Sequence, residues 1–134
     1  MIHELKLYGK NFEMLKQGKK KREYRLYDDK RKLIKVGDTI KFIKLPDKDE
    51  FLYADVSNIE VFKDWYTCYA KYFDEDFRDR YETIQDVVDD TYNGGYYSKE
   101  DSLKYGCCCI TLDNIKENIL RMKLQLQNQI HLKS

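Results

Sequence analysis

No apolar run in this 134-residue chain approaches the roughly 18 residues of a membrane-spanning helix, so no transmembrane segment is expected. Histidine is scarce. His3 and His131 sit at opposite ends, far from any acid pair, which argues against a histidine-based catalytic triad. No C-x-x-C pair occurs. Cys107, Cys108 and Cys109 are consecutive and Cys68 lies far upstream. Consecutive residues on a strand alternate faces, so these thiols are not placed to share a metal or bridge one another. There is no G-x-G-x-x-G and no G-x-x-x-x-G-K-[ST]. Gly94-Gly95 and Gly106 lack the strand-to-helix setting of a phosphate loop. Internal repeats and low-complexity linkers are absent. No metal and no cofactor are expected.

What is present suits one globular domain with a modest core and a heavily charged surface. Apolar residues make up 42% and charged residues 37%. Met1 to Leu7 already reads as a strand rather than a signal peptide, so a cytoplasmic location is expected. The cysteine run reads as a core strand that uses Cys as a small hydrophobe, which implies a reducing compartment.

The net charge of +1 conceals a segregation. Residues 16–35 carry ten Lys/Arg against three acids, Glu23, Asp28 and Asp29. Residues 74–101 carry ten acids against three bases, Arg78, Arg80 and Lys99. The two blocks read either as solvated faces of separate elements or as a basic cleft for a phosphate-bearing ligand. The near-zero total fits a short or single-stranded target, or a nucleotide, better than a long duplex.

The chain opens with a strand over Glu4–Leu7. A helix follows over Lys10–Gln17, with Phe12 and Leu15 facing the core, and Gly18 as its left-handed stop. A strand carries the basic run. Asp28 to Lys35 is a polar excursion with room for one helical turn, and Val36-Gly37-Asp38 is a turn. Strands are expected over Thr39–Leu45 and Phe51–Phe62, joined through Pro46–Asp49, with a bulge near Ser57-Asn58. Trp65, Tyr69 and Tyr72 or Phe73 have helical spacing. A helix over Glu82–Tyr92 buries Ile84, Val87, Val88 and Thr91, and Asn93-Gly94-Gly95 ends it. Ser98 caps a short helix before the cysteine strand, Tyr105–Leu112. A last helix is expected over Asn114–Leu132, opened by a capping box of Asn114 and Glu117. Its stripe Ile115, Ile119, Met122 and Leu126 packs back on the domain or forms a weak dimer seam, so the chain is read as a monomer or weak homodimer. The domain boundaries expected are 1–112 and 113–134.

The densest signal runs from Gly18 to Asp28 and has the form G-x-K-x-x-E-x-R-L-Y-D. Glu23 and Arg25, two apart on a strand, face the same way and can stand side by side. They read either as a structural ion pair or as a unit that holds a polar ligand. A carboxylate accepts from the exocyclic amine of a base such as cytosine, and an arginine donates in bidentate fashion to phosphate or a base edge. Lys20 sits among Lys19, Lys21 and Arg22. Their repulsion lowers its pKa and the Glu23 carboxylate raises it, and the sequence does not decide between them. A neutral Lys20 would be a nucleophile or base. Tyr24, Tyr27, Tyr96, Tyr97 and Tyr105 offer rings for stacking.

This pattern, the following stretch Lys30 to Asp38, and the later Tyr96-Tyr97-Ser98-Lys99-Glu100 with Tyr105-Gly106 resemble the ASCH domain over about residues 3–112. The resemblance implies an α+β fold, a small PUA-like β-barrel of about five to six strands with flanking helices and a C-terminal helix. It also implies a cleft that binds RNA or a nucleotide. Lys20, Glu23 and Arg25 fall on the motif, with Tyr27 and Ser98 nearby. Phosphate contacts are expected from Lys19, Lys21, Arg22 and Lys35. Some members look like hydrolases of N4-acetylcytidine, with the motif lysine as nucleophile and a threonine three residues on; others resemble ribonucleases. Lys20 matches that lysine, and Glu23 stands at the threonine position. Lys20 and Glu23 are therefore the catalytic candidates.

Overall fold

The computed structural model describes residues 1–117. The elements run β1 (Ile2–Tyr8), α1 (Gly9–Lys16), β2 (Arg22–Leu26), α2 (Asp29–Lys32), β3 (Thr39–Leu45), β4 (Phe51–Phe62), α3 (Trp65–Lys71), α4 (Phe73–Asp76), α5 (Ile84–Asn93), α6 (Lys99–Tyr105) and β5 (Cys107–Lys116). Five strands hydrogen-bond in the order β1-β3-β4-β5-β2. β1 runs parallel to β3, whereas β3–β4 and β2–β5 are antiparallel. The mixed sheet with interleaved helices is the α+β class expected. No described helix is long and apolar enough to cross a membrane.

The chain forms two compact units. The first holds Met1–Lys20, Asp38–Asp55 and the segment from Asp113; the second holds Lys21–Gly37 and Val56–Leu112. In the first, Leu5 and Leu7 alternate with exposed Glu4 and Lys6 along β1, and they are buried along with Phe12, Leu15, Ile40, Phe42, Leu52 and Ala54. Helix α1 ends as its sequence asks. Gly18 has φ +76°, its N–H donates to Leu15 O at 3.1 Å, and the Lys19 N–H donates to Met14 O at 2.9 Å. That pair of bonds is a Schellman stop, which satisfies two of the helix's last carbonyls.

The second unit packs short helices over β2 and β5. Its core joins Leu26, Trp65, Cys68, Tyr69, Phe73, Phe77, Val87, Val88, Cys107 and Cys109. Helices this short are unstable alone, and most begin at a side-chain cap. Asp28 accepts from the Arg31 N–H, Asp64 from Thr67, and Ser98 from Asp101. Thr83 and Asp86 form a full capping box.

The last helix needs correction at its start. Asn114, Ile115 and Lys116 continue β5 instead of opening a helix. Asn114 has φ +50°, and its side-chain amide donates to Asp55 Oδ2 at 3.0 Å. The rest of that helix, with the dimer seam, lies outside the described residues.

All four cysteines are buried free thiols. Cys107, Cys108 and Cys109 are each at most 1% exposed, so β5 is covered on both faces where they lie. Burial pushes the Cys108 and Cys109 thiols up to about 12, and the contact with Cys107 raises Cys68. These three stay protonated near neutral pH and cannot act as thiolates. A thiol-reactive dye at pH 8 should label the native chain slowly and the denatured chain at once. Rapid labelling of the folded protein would contradict this packing.

Gly106 combines a positive φ with a close backbone contact. It has φ 68° and ψ −165°, a region open essentially to glycine alone. A Cβ there would lie 2.7 Å from the Phe62 carbonyl oxygen. Gly18 has open space around its missing Cβ. Gly106→Ala should therefore cost about 3 kcal/mol of unfolding free energy, against about 1–2 kcal/mol for Gly18→Ala. Equal losses in urea titrations would refute the steric argument.

Candidate functional site

Strand β2 sorts its charges by face. Arg22 and Tyr24 point one way, Glu23 and Arg25 the other, as the two-residue period requires. The strand pairs with β5 so that Glu23 lies opposite Ile110 and Arg25 opposite Cys108.

On the first face Arg22 is committed to the fold. Its Nε and Nη2 donate to Asp76 Oδ2 and Oδ1 at 2.7 and 3.0 Å, and the guanidinium lies 4.1 Å from the Tyr72 ring centre. The Tyr24 hydroxyl donates to the same carboxylate at 2.5 Å. The Asp76 hydrogen bond outweighs burial and holds the Arg22 charge more firmly than usual. Burial, then Asp76, keeps the Tyr24 hydroxyl protonated far above its ordinary range. The forked edge of Arg22, a residue expected to contact phosphate, is occupied by a carboxylate from the acidic block.

Beside this clamp, Tyr72 donates to Glu60 Oε1 at 2.6 Å, and Lys71 pairs with Glu60 Oε2. Burial would raise the Glu60 pKa, but the bonds from Lys71 and Tyr72 win and lower it. A carboxyl group lowered in the folded state contributes stability above its ordinary range and loses it as pH falls through the folded value. The wild type should therefore lose stability on acidification below about pH 4.5, with a steeper slope than Glu60→Gln. Parallel slopes in denaturant midpoint against pH would count against this ion pair.

The second face carries the candidate site. The Arg25 Nε lies 3.5 Å from Glu23 Oε1, with side-chain exposures of 12% and 8%. The Tyr24 N–H also donates to Glu23 Oε1 at 3.2 Å. Burial works against the Arg25 charge, but Glu23 and the Tyr97 hydroxyl more than restore it. Burial raises the Tyr97 hydroxyl, against the pull of Arg25 and Arg31, so Tyr97 is neutral near pH 7. The Tyr97 ring stacks on Trp65 at 5.2 Å, and Trp65 stacks on Tyr69 at 5.5 Å. Trp65 is further held by its indole N–H, which donates to Ser102 Oγ at 2.9 Å. Ser102 in turn donates to the Ser98 carbonyl at 2.7 Å.

The expected site residues thus divide. Glu23 and Arg25 come together, with Tyr97 beside Arg25. Ser98 is exposed, and its hydroxyl caps α6. Tyr27 is half-buried, with Lys32 Nζ 5.8 Å from its ring centre. Lys21 and Lys35 of the second unit, and Lys19 of the first, are exposed. Lys20 is half-buried in the first unit, and its backbone N–H donates to Met14 O at 3.1 Å. Sequence reasoning passed over Arg31, one of four bases in residues 30–35. Among the described residues no group of three or more His, Cys, Asp or Glu is placed to hold a metal.

The ASCH domain model matches residues 5–115, and the chain belongs to the ASCH domain family, with its PUA-like α+β fold. The crystal structure of the hypothetical protein PH0355 is 32% identical, with a TM-score of 0.69 over 87% of this chain and 99% of that one. The solution structure of protein PF0455 from Pyrococcus furiosus is 29% identical, with a TM-score of 0.62 over 87% and 97%. The crystal structure of a serine-to-alanine mutant of the ASCH protein from Zymomonas mobilis shares the fold at 16% identity, with a TM-score of 0.56 over 87% and 70%. No curated protein matches the chain.

Proposed function

We propose that this ASCH domain binds RNA or a nucleotide through Glu23 and Arg25, with Tyr97 beside them. One observation carries the reading. Glu23 and Arg25 are two residues apart on one strand, so their pairing ties no distant segments together, yet both are nearly buried. Burying a charged pair is expensive, and hydrophobic replacements of similar volume often do as well or better for stability. A fold gains little from such a local pair; a ligand gains a fixed acceptor and a fixed donor side by side. Glu23 suits the exocyclic amine of a base, and Arg25 suits a carbonyl, ring nitrogen or phosphate. Residues 21–37 of the same unit hold seven bases against three acids, a surplus that attracts a polyanion.

Trp65 is the chain's one tryptophan, and its stack on Tyr97 makes it an internal reporter. Titration with a short cytosine-containing single-stranded RNA should change its fluorescence, with affinity that falls as salt rises. Arg25→Ala should weaken binding by about tenfold or more, the loss of a good bidentate contact. Lys35→Ala should cost about two- to threefold and lose that effect at high salt. Equal losses would reduce the interaction to diffuse charge and refute a defined site.

A further inference from the structure

Arg31 has an arrangement that helix capping does not explain. It lies in α2, a single turn opened by Asp28. Asp28 Oδ1 accepts from the Arg31 backbone N–H at 3.1 Å, and Oδ2 accepts from Arg31 Nη1 at 2.8 Å. One carboxylate therefore fixes both the backbone and the side chain of the same residue. The Arg31 side chain is only 15% exposed, whereas its neighbours Lys30 and Lys32 are exposed. An arginine on a polar surface turn would ordinarily extend into water.

The guanidinium is also half-used. Arg22, in the same unit, closes its Nε–Nη2 fork on a carboxylate. On Arg31 the nitrogen that meets Asp28 is Nη1, outside that fork. The Arg31 Nε is buried, and among the described residues nothing accepts its N–H. Buried donors of this kind are rare and call for a partner. Arg31 and Arg25 both act on the Tyr97 hydroxyl, so the two guanidinium groups serve one neighbourhood. Asp28 cancels the formal charge of Arg31, and exposed Lys30 and Lys32 restore a positive sign around it.

We propose that the Nε edge of Arg31 receives a phosphoryl oxygen of the ligand, so that the site takes a phosphorylated nucleotide rather than a bare nucleoside. The inference rests on the Glu23–Arg25 reading and adds to it the chemical class of the ligand. A phosphoryl group matches the fork geometry and the local sign. Asp28 acts as the positioning residue, since it holds Arg31 through Nη1 and does not itself occupy the Nε–Nη2 edge. The phosphoryl group belongs either to a free nucleotide or to an RNA strand.

The test compares cytidine, cytidine 5′-monophosphate and a short unphosphorylated cytidine oligonucleotide, by calorimetry and by Trp65 fluorescence. The wild type should bind the monophosphate at least about tenfold more tightly than cytidine. Arg31→Lys keeps the charge and loses the fork; it should shrink that ratio to about threefold or less. Arg31→Gln, checked for native circular dichroism, serves as the second variant and should do the same. A monophosphate preference that survives in both variants overturns the role of Arg31. Equal wild-type binding of cytidine and its monophosphate, abolished by Arg25→Ala, also overturns it, while the Glu23–Arg25 reading stands. Binding of none of the three overturns both. Tighter binding of the oligonucleotide than of the monophosphate, with the difference lost in Arg31→Lys, supports the proposal and assigns the phosphoryl group to a strand.

Discussion

Two ion pairs leave β2 in opposite directions, and the contrast between them governs how the rest is read. Arg22 reaches Asp76, 54 residues away in sequence. That bond is shared with Tyr24 and backed by the Tyr72 ring, and it ties the edge strand to the helices that cover the core. Its cost in desolvation is offset by the two hydrogen bonds to Asp76 and by the Tyr72 ring against the guanidinium. Glu23 and Arg25 meet within one strand. Their contact closes no loop and orders no element that β2 pairing with β5 has not already ordered. Two arginines three positions apart thus answer to different demands: Arg22 is bonded to Asp76 of the helices, and Arg25 meets a carboxylate of its own strand and the Tyr97 hydroxyl.

The local half of this design was legible in the chain. The alternation of Leu5 and Leu7, the spacing of Phe12 and Leu15, and the stop at Gly18 follow from neighbours within one or two turns. The two-residue period of β2 put Glu23 beside Arg25. The exposed Ser98 and the short helix after it follow from capping alone. The partner of Arg22 was not legible, because Asp76 belongs to the acidic block and only the fold joins the two. Charge segregation suggested solvated faces or a cleft; a cross-link from one block to the other was not among the readings. Arg31 was hidden for a similar reason. Four bases crowd residues 30–35, and sequence offers no way to tell which of them turns inward. The strand at Asn114 was missed because Asn followed by Glu three residues later matches a capping box whether or not the chain turns.

Tyr97 shows how short-range rules assemble a longer-range arrangement. It lies after the left-handed Gly95, φ +74°, and just before the Ser98 cap, so both flanks of its backbone are set by helix ends. Its ring is set by Trp65, and Trp65 is set by Ser102, whose hydroxyl also bonds the Ser98 carbonyl. The loop from cap to indole to ring returns to its starting point, so any displacement of Tyr97 strains the cap as well as the stack. Aromatic stacking of this kind is worth about 0.5–1.5 kcal/mol per pair beyond burial, and two such pairs in series make the ring a stiff wall.

A stiff, neutral hydroxyl beside two guanidinium groups has a specific electrostatic consequence. Were Tyr97 ionised, it would cancel one of the positive charges and compete with any incoming anion. Tyrosine's ordinary range already lies well above neutral pH, and burial raises it further, so the hydroxyl stays protonated. Glu23 balances the Arg25 charge and Asp28 the Arg31 charge, so the buried groups are close to neutral and the positive sign comes from exposed Lys30 and Lys32. Such a surface does not trap bulk counterions tightly, yet it rewards a ligand that brings its own acceptors in a fixed pattern. Discrimination then comes from geometry, and the exposed lysines supply attraction without selectivity.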